Sequence, residues 1–254
     1  MMLRVFTGVF CFLFYWTSSV GALTFIPDKK HLEPYMECHN TILVASTGHS
    51  GSTMLSATID SCMPNHKVLK THILPPLKQF SGKIVFIYSN PDLATESVLH
   101  KSLRDPVFGH HHFLHMESSD LDWLEELEWD TTKQTETINL LAYDALGVKI
   151  QLEEWLHHQT TPCKFEDADI LALKLENLWE QETIQALRDF LGSPDFTPPP
   201  EKKRGYSDSE LLANERQYRN LYNLGTYEQP VYPAYDEARR LWETAPPFQF
   251  LRIK

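Results

Sequence analysis

Lys70 and His72, two positions apart in VLKTHILPP (68–76), are residue types that together can carry out group transfer. Alternate residues of an extended strand face the same side of a sheet, so the ammonium and the imidazole would project together. Beside a bound anion, the ammonium stabilises charge on a leaving oxygen and the imidazole takes a proton from an attacking hydroxyl. That chemistry needs an anion site close by, and ILVASTGHSGSTML (42–55) supplies a candidate. The β-prone run Ile42 to Ala45 leads into Gly48, His49, Ser50, Gly51, Ser52 and Thr53, after which Met54, Leu55, Thr58, Ile59 and Cys62 recur at helical spacing. The pattern reads strand, tight loop, helix start. The first amides of such a helix lack intrahelical partners and the helix dipole favours negative charge, so a phosphate or sulfate fits there. A nucleotide-hydrolase loop would carry Lys where this chain has Ser52, which argues against a Walker-type motor or GTPase. Gly and Ser also crowd ordinary strand-to-helix turns, the competing reading of the same residues.

The surrounding elements must bring these residues together. Lys67 to Thr71 reads as a second strand and KIVFIYS (83–89) as a third, β-branched and aromatic throughout. Asn90 and Pro91 open a helix with Leu93, Ala94, Val98 and Leu103 facing inward. Residues 118–158 are helical in character: 120–129 is short and acidic, and Ile138, Leu141, Ala145, Val148, Leu152 and Trp155 mark one face of a longer helix, weakened at Gly147. DILALKL (169–175) is a fourth buried strand, followed by a helix lined by Ile184, Leu187 and Leu191 that ends at Gly192. Alternating strands and helices predict an α/β fold, a parallel sheet flanked by helices in three layers, with ligands at the strand carboxyl ends. SPDFTPPPEKKRG (193–205) reads as an exposed Pro-rich basic loop. The core domain is expected over 38–205, with 206–254 a helical extension packed on it.

Bulk properties limit the options. The chain has 254 residues, of which 42% are hydrophobic, enough for a sizeable core, and a formal charge of −11 that argues against nucleic acid as a partner. Residues 1–22 have a basic start at Arg4, an apolar run from Val5 to Trp16 and small residues before Ala22, the pattern of a signal peptide or an uncleaved signal anchor. This predicts the secretory pathway: the Golgi or ER lumen, or secretion, with membrane attachment only through the anchor. Cys38, Cys62 and Cys163 would then remain, and a Cys38–Cys163 bridge is conceivable. GHHHFLH (109–115) sets His111 and His115 four apart but lacks a completing ligand pattern, so a loop near the substrate is preferred to a metal site.

The ordered pieces resemble the sulfotransferase family, which moves a sulfonate from 3′-phosphoadenosine 5′-phosphosulfate to an alcohol, phenol or amine. Ser50 to Thr53 match the family's SGT-type loop for the 5′-phosphosulfate, and Lys70 to Pro75 match its KTHLP element. Ser97 falls on the serine of an Arg-x7-Ser pattern that holds the 3′-phosphate, ILALKLENLWEQETIQALRDFLG is similar to a strand-plus-helix segment ending in FLG, and KKRG (202–205) is similar to the RKG element. The resemblance implies a P-loop NTPase-like sulfotransferase fold, a luminal enzyme with that donor as cosubstrate and no metal, and a hydroxyl or amine acceptor. By it, His72 is the general base, Lys70 stabilises the bridging oxygen, and Gly48 to Thr53, Ser89, Ser97, Lys203, Arg204 and Gly205 hold the donor. Two positions depart from the pattern: His49 replaces the usual basic residue before SGT, a weaker and pH-dependent cation, and Ser89 replaces the arginine. Lys101, Arg104, Lys203 and Arg204 are candidates to compensate. The alternatives are a noncatalytic relative that binds a nucleotide or other ligand, and a P-loop kinase for a small metabolite using magnesium and ATP.

Overall fold

The structure is a computed structural model that describes residues 23–76, 78–104, 141–201, 213–226 and 229–254. The apolar runs TILVAS and KIVFIY become β2 (Thr41–Ser46) and β4 (Lys83–Tyr88). Every residue of β2, and of β4 from Ile84 onward, is buried, as continuous apolar sequence requires of a strand covered on both faces. They join β1 (Thr24–Ile26), β3 (Lys67–Thr71), β5 (Thr160–Pro162), β6 (Ile170–Lys174) and β7 (Phe248–Ile253) in one sheet of order β1-β3-β2-β4-β6-β7-β5 among the described residues. Pairings from β1 through β6 are parallel, while β7 runs antiparallel between β6 and β5. The fold is therefore α/β, with a mostly parallel sheet between helical layers.

Strand alternation sorts the core into two halves. Ile42, Val44, Val85 and Ile87 pack with Leu55 and Ile59 of α2 (Ser52–Cys62) and Leu187 and Phe190 of α5 (Gln181–Leu191). On the opposite face Leu43, Ala45, Ile84 and Phe86 pack with Val98 and Leu99 of α3 (Pro91–Arg104), Leu152 of α4 (Val148–Glu153) and Ala238 of α7 (Asp236–Thr244). The remaining described α-helices are α1 (Lys29–Leu32) and α6 (Ala213–Tyr222). The chain leaves β2 toward β3 on one side and resumes at β4 on the other, with α2 and α3 on opposite faces. This reversal opens a crevice at the carboxyl ends of β2 and β4, the usual ligand position in an open α/β sheet.

Several expectations need correction. The long helix anticipated through 138–155 is broken: Gly147 adopts φ 59°, and α4 starts afresh after it. Asp144 makes the break stable by accepting hydrogen bonds from the Val148 and Lys149 amides at 3.0 and 2.8 Å. α4 then runs into a π-helical turn, Glu154–His158. The C-terminal segment contains helices, but it ends in β7, which enters the sheet beside β6. Cys38, Cys62 and Cys163 are all free thiols. Cys38 precedes β2, third in the sheet order, and Cys163 follows β5, the seventh. Four strand spacings, about 19 Å, separate those positions, far beyond the reach of a disulfide. Residues 1–22, the acidic 120–129 run and the histidines 110–112 and 115 lie outside the described residues, as does the KKRG run at 202–205. No helix among the described residues is long and apolar enough to cross a membrane.

Candidate anion site

The loop between β2 and α2 is built from left-handed backbone. Gly48, His49 and Gly51 have φ of 77°, 48° and 76°, conformations natural to glycine and uncommon for histidine. Gly51 caps α2 with no side-chain hydrogen bond to the helix amides, and the first intrahelical bond runs from the Leu55 amide to the Gly51 carbonyl at 3.0 Å. The amides of Ser52, Thr53 and Met54 therefore come before the helix's own bonding begins. A Cβ on Gly51 would also lie 2.8 Å from Cδ1 of Leu175, just beyond β6, so that side chain would have to shift.

The serines divide by role. Ser50 is fully buried, and its hydroxyl lies 3.2 Å from the Ile87 carbonyl, 3.3 Å from the Gly48 carbonyl and 3.3 Å from the Thr47 hydroxyl. It braces the loop against β4; any contact to an anion would come from its amide. Ser52 is buried in the first turn and its carbonyl accepts a hydrogen bond from Ser56 Oγ. Thr53 is exposed and receives a 2.7 Å hydrogen bond from Lys70 Nζ. Ser89 Oγ, just past β4, is buried with no hydrogen-bond partner. An orphaned buried hydroxyl is costly, and this one sits at the crevice.

Parallel pairing aligns the histidine with the loop. Ala45 is opposite Thr71, so the next residues, Ser46 and His72, leave the sheet together. His72 Nδ1 lies 2.9 Å from the Ser46 carbonyl and 3.0 Å from its hydroxyl. A carbonyl oxygen only accepts, so the neutral ring carries its proton on Nδ1 and keeps Nε2 as its basic nitrogen. Sequence reasoning did not single out Ser46; a polar residue closing a buried apolar strand was the available signal.

His49 joins the remaining parts. Its Nδ1 is 3.1 Å from Ser97 Oγ of α3, a contact spanning the crevice. Burial, then the charges of Lys101, His72 and Lys70, push its pKa down to about 3. His49 is thus neutral near physiological pH, which overturns the expectation of a cation titrating near neutrality. Lys70 is pushed below the usual lysine range by burial and then by Lys101, and Lys101 by burial. Of the proposed compensating cations, Arg104 instead donates to Glu215 at 3.3 Å, while Lys101 bears on both His49 and Lys70. Trp179 Nε1 donates to the Pro199 carbonyl at 2.7 Å, tethering the Pro-rich segment shortly before Lys203, Arg204 and Gly205, which lie outside the described residues.

The structure thus brings Gly48 to Thr53, Lys70, His72, Ser97 and Lys101 together at the carboxyl end of the sheet, where Ser89 directly follows β4. Such a site suits a doubly charged anion: amides at a helix tip, the half-buried ammonium of Lys70 with the exposed one of Lys101, and an orphaned hydroxyl. Among the described residues no group of His, Cys, Asp and Glu is arranged to hold a metal ion. Family models, curated proteins and solved structures all yield no match to this chain.

Proposed function

We propose that this chain is a sulfotransferase that takes its sulfonate from 3′-phosphoadenosine 5′-phosphosulfate and delivers it to a hydroxyl or amine, on a P-loop-like sulfotransferase fold. The observation that carries the reading is Lys70, whose ammonium is held by Thr53 at the positive end of α2. Cations are ordinarily favoured at the opposite end of a helix, so this arrangement makes sense with an anion between them. When bound, the donor supplies the sulfonate and a nucleotide phosphate as leaving group. The amides of Gly51 to Thr53 hold the 5′-phosphosulfate; Ser97 and Lys101 lie on the side expected for the 3′-phosphate. His72 Nε2 takes the acceptor's proton as the acceptor oxygen or nitrogen forms its bond to sulfur. Lys70 stabilises the negative charge left on the bridging oxygen as its bond to sulfur breaks.

The noncatalytic reading draws support from Ser89, a short hydroxyl where the resemblance expects an arginine fork. Calorimetry with 3′-phosphoadenosine 5′-phosphate and radiolabelled-sulfonate transfer to a panel of alcohols and amines separate the two. Binding with transfer supports the enzyme, binding without transfer to any acceptor favours the noncatalytic relative, and no binding at millimolar ligand rejects both.

A further inference from the structure

Beyond β3 the chain leaves the sheet but stays buried from His72 to Pro76, so its backbone polar groups need partners other than a strand ladder. The Ile73 amide donates to Thr71 Oγ1 at 3.1 Å, and that hydroxyl donates to the Ile26 carbonyl at 2.8 Å. The Ile73 carbonyl accepts from Trp155 Nε1 at 3.2 Å. Pro75 and Pro76 have no amide hydrogen to satisfy. Trp155 is fully buried in the π-helical turn, and its ring stacks on Phe86 of β4 at 5.0 Å and 12°. Phe86 stacks in turn on Tyr88 at 5.4 Å. The indole is therefore a rigid donor, fixed by the middle of the sheet and aimed at the Ile73 carbonyl, one residue beyond His72.

We infer that Trp155 is a positioning residue for His72, an inference that rests on the reading of His72 as proton acceptor. His72 is held on two sides: its ring by the Ser46 carbonyl, and the chain one residue further on by the Trp155 indole at the Ile73 carbonyl. Removing the indole hydrogen leaves the Ile73 carbonyl buried and unpaired, and the peptide turns to seek another donor. His72 then loses the backbone orientation that keeps Nδ1 on Ser46 and Nε2 toward the crevice. Helices with π-type turns often occur beside functional sites, and here the turn serves to deliver the donor.

The test replaces Trp155 with 3-benzothienylalanine, which keeps the ring's shape and stacking but has sulfur in place of N–H; Trp155→Phe is the second variant. Imidazole ¹⁵N–¹H spectra, assigned by loss of the signal in His72→Ala, read the His72 Nδ1–H directly without any substrate. The expected result is a shifted or broadened Nδ1–H resonance in the folded benzothienyl protein. In the transfer assay kcat should fall about tenfold or more while both KM values stay within about twofold. An unchanged resonance in a folded variant overturns the inference, whatever the activity. If wild-type protein transfers no sulfonate, or His72→Ala transfers it normally, the functional reading fails while the spectra still decide whether Trp155 orients the ring.

Discussion

Lys70 places its ammonium 2.7 Å from the Thr53 hydroxyl in the first turn of α2. Burial and Lys101 already act against its charge, and the helix dipole adds to the cost. A site assembled against its own stability points to a function that needs it. Replacing Lys70 with Met keeps the length of the stem and removes the charge. The variant should be more stable than wild type without ligand, by about 0.3–1 kcal/mol in denaturant titration. It should also bind 3′-phosphoadenosine 5′-phosphate at least about tenfold more weakly by calorimetry. Lower stability with unchanged affinity would mean that Lys70 serves packing alone.

His49 gives a pH signature. Its pKa in the folded chain is about 3, against 6.5 for an ordinary histidine. Well above pH 6.5 the ring is neutral in both folded and unfolded chains and contributes no pH dependence. As pH falls below that value the unfolded chain takes up a proton that the folded chain refuses, so stability is lost, with a limiting slope of about 1.4 kcal/mol per pH unit. Asp144 acts in the opposite sense, since burial raises its carboxyl to about 6 and the folded chain holds that proton. Comparing wild type with His49→Asn cancels the Asp144 contribution, and asparagine tolerates the positive φ of 48°. Urea midpoints measured from pH 7.5 to 5 should show the wild type losing ground to the variant as pH falls. Parallel curves would show that His49 titrates normally.

Much of this architecture was legible because β2, β4 and β6 are largely buried runs of apolar residues, and burial on both faces writes itself into continuous sequence. The Gly48 and Gly51 spacing likewise announced a tight loop between strand and helix. β7 was not legible: in FQFLRI only Leu251 is buried, and the strand's place is set by pairing with β6, nearly eighty residues away along the chain. β1 and β5, three residues each, are too short to show a period. The break before α4 had a local sign in Asp144 followed three residues later by Gly147, but the apolar stripe on both sides of it reads as one helix. The charge on His49 was out of reach, because its neutrality comes from burial and from cations on β3 and α3 that only the fold brings near.

Gly51 and Gly192 allow the cost of the loop's backbone to be separated from its packing. Both hold positive φ, 76° and 69°, so alanine at either is strained by about 1–2 kcal/mol. A Cβ on Gly192 meets nothing within 4 Å, whereas one on Gly51 presses on Leu175 at 2.8 Å. Gly51→Ala should therefore destabilise by about 1 kcal/mol more than Gly192→Ala in thermal or urea unfolding. Only the Gly51 change should weaken nucleotide binding, because it moves the helix tip. Equal penalties and equal binding would show that Leu175 yields freely and that the tip is not held by it.

The most demanding element lies one residue from Ser97. Glu96 of α3 is fully buried, accepts a hydrogen bond from Arg219 of α6, and receives another from Tyr232 Oη at 2.7 Å. Burial raises the Glu96 pKa, opposed by the Tyr232 hydrogen bond and by Arg219. Breaking a buried pair by removing one partner costs more than removing both, since the survivor is left charged without a counterion. Arg219→Met should destabilise by about 3–5 kcal/mol near neutral pH, and Glu96→Gln with Arg219→Met by clearly less. The pH dependence fixes the cause. With Arg219 gone, the carboxyl's folded-state pKa rises further above its unfolded value, so the penalty is full at alkaline pH and shrinks as the solution is acidified toward pH 5. The double variant, with no titrating group at position 96, should show no such relief. Urea unfolding of wild type, both single variants and the double variant at pH 8 and pH 5 completes the cycle. A penalty for Arg219→Met that is the same at both pH values would show that the arginine acts through packing of its stem rather than by neutralising Glu96.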